Sequence, residues 1–124
     1  MVGIPPEVIT GPHDRTVLAG HEIILLCEVK AFPLPSFIWY QSSHVKQDKN
    51  NRHRVDFNDE RFHLNTETGT LTIQNPKPSD SAKYICSASN SAGKAPPTSA
   101  FVDIRERTKQ FGPEYLTGNN LYMP

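Results

Sequence analysis

Two cysteines, Cys27 and Cys86, lie on either side of the single tryptophan of the chain, Trp39. The second cysteine ends the run DSAKYIC at residues 80–86, which places Tyr84 two residues before it, and each cysteine lies in a strand-like segment. This combination is typical of two antiparallel β-sheets packed face to face and joined by one disulfide, with the indole packed against the sulfur atoms. We therefore predict an all-β sandwich. The predicted core residues are Cys27, Trp39, Leu71, Tyr84 and Cys86.

At these residues, and over roughly residues 5–105, the chain resembles an immunoglobulin-superfamily domain. The compact N-terminal half and the Asn-Ser-Ala-Gly turn at residues 90–93 are similar to the I-set subtype. Residues 5–12 and 27–33 are also similar to the C-terminal domain of the insulin-like growth factor binding-related proteins that carry a Kazal module. The resemblance implies an immunoglobulin-like β-sandwich. A function does not follow from it, because this fold hosts many unrelated functions.

The length of 124 residues suits one sandwich of about 100 residues with short ends. We expect residues 1–5 to be an N-terminal leader, residues 6–105 to be the domain, and residues 106–124 to be a tail or linker rich in Gly, Asn and Pro. The first residues lack the basic and apolar pattern of a signal peptide. The formal net charge is zero and no apolar run is long enough to span a bilayer, so we predict neither nucleic-acid binding nor membrane insertion.

The cysteine count bears on the compartment. Two cysteines fit one disulfide and an oxidising environment, which predicts a secreted or extracellular protein. The alternative is a structural I-set module of an intracellular muscle or cytoskeletal scaffold, because the resemblance also extends to sarcomeric domains whose core cysteines stay reduced. An assay for free thiols on native protein distinguishes the two.

The chain predicts a series of short strands separated by turn residues. Their expected bounds are 8–10, 16–18, 21–30, 37–41, 53–57, 61–64, 70–74, 83–89 and 100–104. In the strand at 21–30, alternation directs Cys27 to the core and turns Ile24 and Leu26 to the outer face of the sheet. Two adjacent aliphatic residues there predict a covered surface, with a neighbouring domain, a second copy or the tail as the cover. The alternative is incidental exposure, which is common for single apolar residues.

A second set of outward residues predicts the partner surface. Ile38 and Tyr40 point away from the core on the strand at 37–41, and Phe32 lies in the turn before it. Aromatic residues are enriched in the centres of protein interfaces. We predict a protein partner, either a growth factor or a cell-surface protein. The basic residues of segment 44–54 also suit a heparin-like polyanion, although a solvated loop of mixed charge is the favoured interpretation.

Charged residues predict a structural contact and no catalytic centre. By the resemblance, Arg61 and Asp80 form an ion pair that ties the strand at 61–64 to the corner before the strand at 83–89. The histidines, at positions 13, 21, 44, 53 and 63, show no zinc-binding spacing, and the chain has neither a nucleophile elbow nor a phosphate loop. We predict no catalytic residues, no metal and no cofactor.

Overall fold

The computed structural model describes residues 2–43 and 52–106, and these residues form a β-sandwich. The strands are β1 Ile4–Thr10, β2 Arg15–Leu18, β3 Ile23–Leu25, β4 Glu28–Phe32, β5 Ser36–Ser43, β6 Arg52–Arg54, β7 Phe62–Leu64, β8 Leu71–Ile73, β9 Ala82–Asn90, β10 Gly93–Lys94 and β11 Thr98–Arg105. Within the described ranges, helical structure is limited to a 3-10 turn at Pro78–Asp80. The predicted all-β fold is confirmed.

The strands form two layers. One layer contains the pair β1–β4 and the three-stranded sheet β3–β8–β7. The other contains the order β2–β11–β9–β5–β6, with β10 beside β9. Strand β2 runs parallel to β11, and the other strand pairs are antiparallel. The longest register joins β5 to β9, from Ser36 opposite Ser89 to Ser43 opposite Ala82, and gives the second layer its central ladder.

The core lies between the layers and is closed by the disulfide. Cys27 lies between β3 and β4 and bonds to Cys86 in β9, with a Cα–Cα distance of 6.4 Å. Trp39 lies opposite Cys86 in the β5–β9 register and is only 1% exposed, while Leu71 and Tyr84 have no exposed surface. Removal of these apolar side chains from water is the main contribution that favours the folded sandwich. The predicted disulfide between the two sheets is confirmed.

The structure divides the predicted strand 21–30 into β3 and β4, with residues 26 and 27 outside both. The reason is a change of partner. Strand β3 pairs with the short β8, whose first residue, Leu71, lies opposite Leu25, whereas β4 pairs with β1 from Glu28 onward. Residues 26 and 27 therefore have no ladder partner on either side, and the prediction of one continuous strand was wrong.

The first strand begins earlier than predicted. It starts at Ile4, inside the segment 1–5 that was expected to be a leader, and continues to Thr10. Its two prolines lie between Ile4 and Glu7, where the register with β4 is irregular. A proline lacks the N–H that a ladder requires, but an edge strand accommodates it at an irregular position. The prolines therefore interrupt the pairing without ending the strand.

Gly69 positions the central tryptophan. The indole Nε1 of Trp39 donates a hydrogen bond to the Gly69 carbonyl oxygen at 2.8 Å. Gly69 has φ +80°, and a Cβ at this residue would lie 2.5 Å from the Phe37 ring and 2.8 Å from the Cys27 carbonyl oxygen. Both the left-handed backbone and the missing space therefore require glycine here.

We expect Gly69→Ala to lower the free energy of unfolding by more than about 2 kcal/mol, because left-handed strain alone costs about 1–2 kcal/mol and the clash adds to it. Urea unfolding followed by tryptophan fluorescence measures the change. Gly20→Ala is the matched control, since Gly20 also has a positive φ of +90° but has no atom within 4 Å of the added Cβ. Equal losses for the two variants would contradict the packing argument.

Polar groups join the corner before β9 to strand β7. The Arg61 guanidinium donates to both carboxylate oxygens of Asp80, at 2.7 and 3.0 Å, and this hydrogen bonding raises the pKa of Arg61. Asp80 also accepts from the Lys77 backbone N–H at 2.7 Å. The Tyr84 hydroxyl donates to the Asp80 carbonyl oxygen at 2.6 Å and accepts from Gln41 Nε2 at 2.9 Å. These contacts are structural, because they satisfy polar groups at the end of the core.

Burial raises the pKa of Tyr84 above its ordinary value of 10.0, because the ionised phenolate is poorly solvated in the core. The folded state therefore favours the neutral phenol. The resulting stability is fully present below about pH 10 and is lost as the pH rises further.

We expect Tyr84→Phe to lower the free energy of unfolding at neutral pH by about 1–2 kcal/mol, since two hydrogen bonds are lost. We also expect the variant to lose less stability than the wild type when the pH is raised above about 10. Unfolding in urea at several alkaline pH values measures both effects. An identical alkaline slope in the two proteins would be inconsistent with the protonated, buried phenol.

Candidate protein-recognition surface

The outer side of the second layer is an open sheet face. In β9 the even-numbered residues, such as Tyr84 and Cys86, point into the core, so the odd-numbered ones point outward, among them Ile85, which is only 7% exposed. Residues directly opposite one another in a ladder share a face. We call the outward residues of strands β5, β6, β9 and β11 the open face. Its central members are Ile38, Tyr40, Arg52, Arg54, Lys83, Ile85 and Phe101.

The registers arrange these side chains in two rows. Tyr40 lies between Arg54 of β6 and Ile85 of β9. In the next row, Lys83 lies opposite Phe101 of β11 on one side and opposite Ser42 of β5 on the other. The open face thus carries aromatic and aliphatic side chains in its centre, between basic ones.

Cations cover both aromatic rings of the open face. The Arg52 guanidinium carbon lies 4.2 Å from the Tyr40 ring centroid, and the Lys83 ammonium lies 5.7 Å from the Phe101 centroid. Cation–π contacts of this kind hold the rings and the charges in fixed relative positions at about 0.5–1 kcal/mol each. Phe101 remains 49% exposed, so a large aromatic surface is available on this side.

A shallow cavity of about 280 Å³ lies at the edge of the open face. Its lining includes Ile38, Arg54, Phe57 and Leu64. The cavity lies beyond the end of the short β6, which pairs with β5 only at Tyr40 to Ser42 and leaves Ile38 without a neighbour on that side. An apolar hollow beside an exposed aromatic surface is the kind of pocket in which interface anchor residues bind.

The structure separates the predicted partner residues into two groups. Ile38 and Tyr40 lie on the open face, where each is partly buried. Phe32 was predicted to lie in the turn before their strand, but it is the last residue of β4 and lies opposite Ile4 in the other layer. The prolines that follow Phe32 suggested a turn, whereas β1 extends far enough toward the N-terminus to pair with it.

Ile24 and Leu26 lie in the layer opposite to the open face. Ile24 is 43% exposed and Leu26 is 40% exposed, and Ile24 lies in one row with Thr72 and His63. The surface that was predicted to be covered is therefore accessible in the described part of the single chain. His44 and most of segment 44–54 lie outside the described residues.

Phe101 and Lys83 were not singled out from the sequence, and Arg52 was included only among the basic residues of segment 44–54. A signal for Phe101 existed, because it alternates with the core residues Ala100 and Val102 in a predicted strand.

In the described ranges, no three His, Cys, Asp or Glu residues are placed to hold a metal ion. The same ranges contain no helix of the length and hydropathy that a bilayer crossing needs.

The two layers, the disulfide between them and the buried tryptophan beside it define an immunoglobulin-like β-sandwich. A family model described as "Immunoglobulin domain" matches residues 5–90. The chain therefore belongs to the immunoglobulin domain family.

Similar domains occur in several known proteins, and most of these proteins are much longer than this chain. Human hemicentin-1 is 33% identical over 92 residues, which are 74% of this chain but 2% of hemicentin-1. The N-terminal eight Ig domains of Down syndrome cell adhesion molecule (DSCAM) match with a TM-score of 0.69 and 26% identity, over 84% of this chain and 13% of that one. An Ig chain of the titin M10–obscurin-like 1 complex matches with a TM-score of 0.67 and 27% identity, over 86% of this chain and all of its own length. The chain thus spans only a small part of its curated relatives.

Proposed function

We propose that this domain is a non-enzymatic protein-recognition module of the adhesion or receptor type, and that it binds its partner through the open face. The observation that carries the proposal is the cation-flanked aromatic surface of the partly buried Tyr40 and the half-exposed Phe101, beside the Ile38 cavity. Tyrosine and arginine are enriched among the residues that dominate binding energy in interfaces. The resemblance to a cell adhesion molecule supports the same class of function.

We also propose a secreted or cell-surface location and the I-set subtype. A disulfide at the centre of the core persists in an oxidising compartment, which supports the location. The first two strands lie in different layers, because β1 pairs with β4 and β2 pairs with β11. This division of the N-terminal segment between the two sheets supports the I-set subtype. A growth factor is one candidate partner, supported by the sequence similarity of residues 5–12 and 27–33.

A binding screen tests the proposed function. The domain, presented in multivalent form, is applied to an array of secreted and cell-surface ectodomains. We expect at least one specific partner, and we expect Tyr40→Ala and Phe101→Ser each to weaken its affinity about tenfold or more. Ile9→Ser is the control, since Ile9 is an exposed aliphatic residue of β1 in the opposite layer. Binding that survives both open-face changes, or that the control abolishes equally, would rule out this face.

A specific observation favours a second candidate, a structural module of an intracellular scaffold. The Ig chain of the titin M10–obscurin-like 1 complex matches 86% of this chain at 27% identity. Alkylation of native protein from its source separates the two functions. Blocked Cys27 and Cys86 support the recognition module outside the cell, whereas two alkylated thiols in folded protein support the scaffold.

We propose, as a separate surface, a homodimer through Ile24 and Leu26. A twofold contact requires only a self-complementary patch. Ile24 in β3 and Leu26, which directly follows β3, are two exposed aliphatic residues that provide one. We expect Ile24→Thr combined with Leu26→Ser to shift the protein toward monomer in sedimentation, with little change in the unfolding of the monomer. A sedimentation coefficient that does not respond at any concentration would show that this patch is incidental.

A further inference from the structure

We infer that the partner of the open face is a protein surface with an apolar centre surrounded by carboxylates. This inference rests on the proposed function and adds the chemistry of the partner to it. Its basis is that the neutral net charge of the chain hides an uneven distribution of charge. The open face is basic although the formal net charge is zero.

Three cations of the open face come from two strands. Arg52 and Arg54 project from β6, Lys83 projects from β9, and the register places Arg54 beside Tyr40 and Lys83 beside Phe101. Among the described residues, the ion pairs involve none of these three cations. Within residues 2–43 and 52–106, no carboxylate therefore forms an ion pair with these three charges.

Acidic residues are scarce on the same face. Asp103 is the carboxylate of β11 on this side, and Arg105 engages it at 3.0 Å. Asp14 lies at the β11 edge and accepts a hydrogen bond from the Phe101 backbone N–H at 2.8 Å. By contrast, the charged residues of β1 and β4 in the other layer are Glu7, Glu28 and Lys30, of which two are acidic. The charge asymmetry between the layers selects an acidic partner for the open face.

The apolar component of the face favours a protein over a sulfated polysaccharide. A polyanion is bound through its charges, so it has no use for the 49% exposed ring of Phe101 or for the hollow between Ile38 and Phe57. A protein surface fills both with apolar side chains and places carboxylates over Arg54 and Lys83. The apolar contacts would form the centre of the interface, and the carboxylate–cation contacts would form its polar rim.

The charge also disfavours a second copy of this chain on the open face. A twofold contact places the same patch on both sides, which brings Arg52, Arg54 and Lys83 of one copy against those of the other. Like charges in contact across an interface suppress association. The occupant is therefore a different, acidic protein.

Three defined probes test the inference: a random copolymer of glutamate and tyrosine, poly-glutamate of equal length, and a heparin fragment. Affinities are measured by biolayer interferometry at about 0.15 M salt and at lower salt. We expect the glutamate–tyrosine copolymer to bind tightest, with an association rate that rises as salt is lowered. We expect Arg54→Glu with Lys83→Glu to weaken its binding about tenfold or more, and Phe101→Ser to reduce its advantage over poly-glutamate.

Lys30→Glu with Lys77→Glu is the matched control, because it makes the same change in net charge at exposed residues away from the open face. An equal loss of affinity in this control would show that only net charge matters and would overturn the inference.

Tightest binding to heparin would overturn the inference in favour of a sulfated polysaccharide. A partner found in the ectodomain screen that depends on Tyr40 but not on Arg54, Lys83 or salt would overturn it and leave the proposed function intact. Copolymer binding at the open face with no ectodomain partner would support the inferred chemistry of the face and contradict the proposed function.

Discussion

Replacing Trp39 with alanine is expected to lower the free energy of unfolding by about 3–5 kcal/mol, the range for truncation of a large aromatic residue in a core. Trp39 is 1% exposed and lies within one cluster with both disulfide cysteines. The variant also removes the donor to the Gly69 carbonyl, and an unpaired buried carbonyl adds about 1–3 kcal/mol to the loss. Denaturant unfolding followed by circular dichroism at several temperatures measures the change.

Trp39→Phe is the informative control. It retains most of the ring packing but removes the indole N–H, so its loss of stability should lie between those of the wild type and Trp39→Ala. A loss in Trp39→Phe as large as that in Trp39→Ala would assign the whole effect to the hydrogen bond with Gly69. A loss below about 1 kcal/mol in both variants would contradict a central role for this residue.

Removal of the disulfide is expected to have a comparable effect. Cys27 and Cys86 are separated by 59 residues, and a crosslink over such a loop contributes about 4 kcal/mol in the chain-entropy description. We expect Cys27→Ala combined with Cys86→Ala to lose about this amount, plus a smaller contribution from the cavity that the sulfur atoms leave. Urea unfolding of the variant, the oxidised wild type and the reduced wild type separates the two contributions.

The comparison of reduced and oxidised wild type has a further use. If reduction without substitution costs less than about 1 kcal/mol, the crosslink contributes little and a reduced intracellular form is stable. A loss near the expected value leaves a narrow margin, because domains of this size are stable by only about 5–15 kcal/mol. Such a loss would support the proposed location outside the cell, where the cysteine pair stays oxidised.

The core was predictable from the sequence because its signals are local and redundant. Alternation places every second residue on one side of a strand, and Cys27, Trp39 and Cys86 mark which side is inward. The division of the predicted strand 21–30 into β3 and β4 was not predictable in this way. It depends on where β8 begins and on where β1 ends, and both are properties of other segments of the chain.

The candidate site was predictable only in part. Tyr40 and Ile38 follow from alternation along one strand, but their neighbours on the open face come from β6, β9 and β11. The net charge of zero indicated no electrostatic partner, because composition averages over both layers. The basic character of the open face emerges only when the ladders bring Arg54 and Lys83 to the same side. The hydrogen bond between Trp39 and Gly69 spans 30 residues and has no local signature in the sequence.

The parallel pair of β2 and β11 has a mechanical consequence. At one pole of the sandwich, Asn90 at the end of β9 binds the carbonyl oxygens of Ile4 and Pro33. At the opposite pole, where β9 begins, the backbone N–H of Ala19 donates to the carbonyl oxygen of Arg105 at the end of β11. Tension applied between the start of β1 and the end of β11 therefore pulls along the long axis of the domain. It shears the four paired positions of β2 and β11 together, so that their hydrogen bonds resist extension as a group instead of opening one after another.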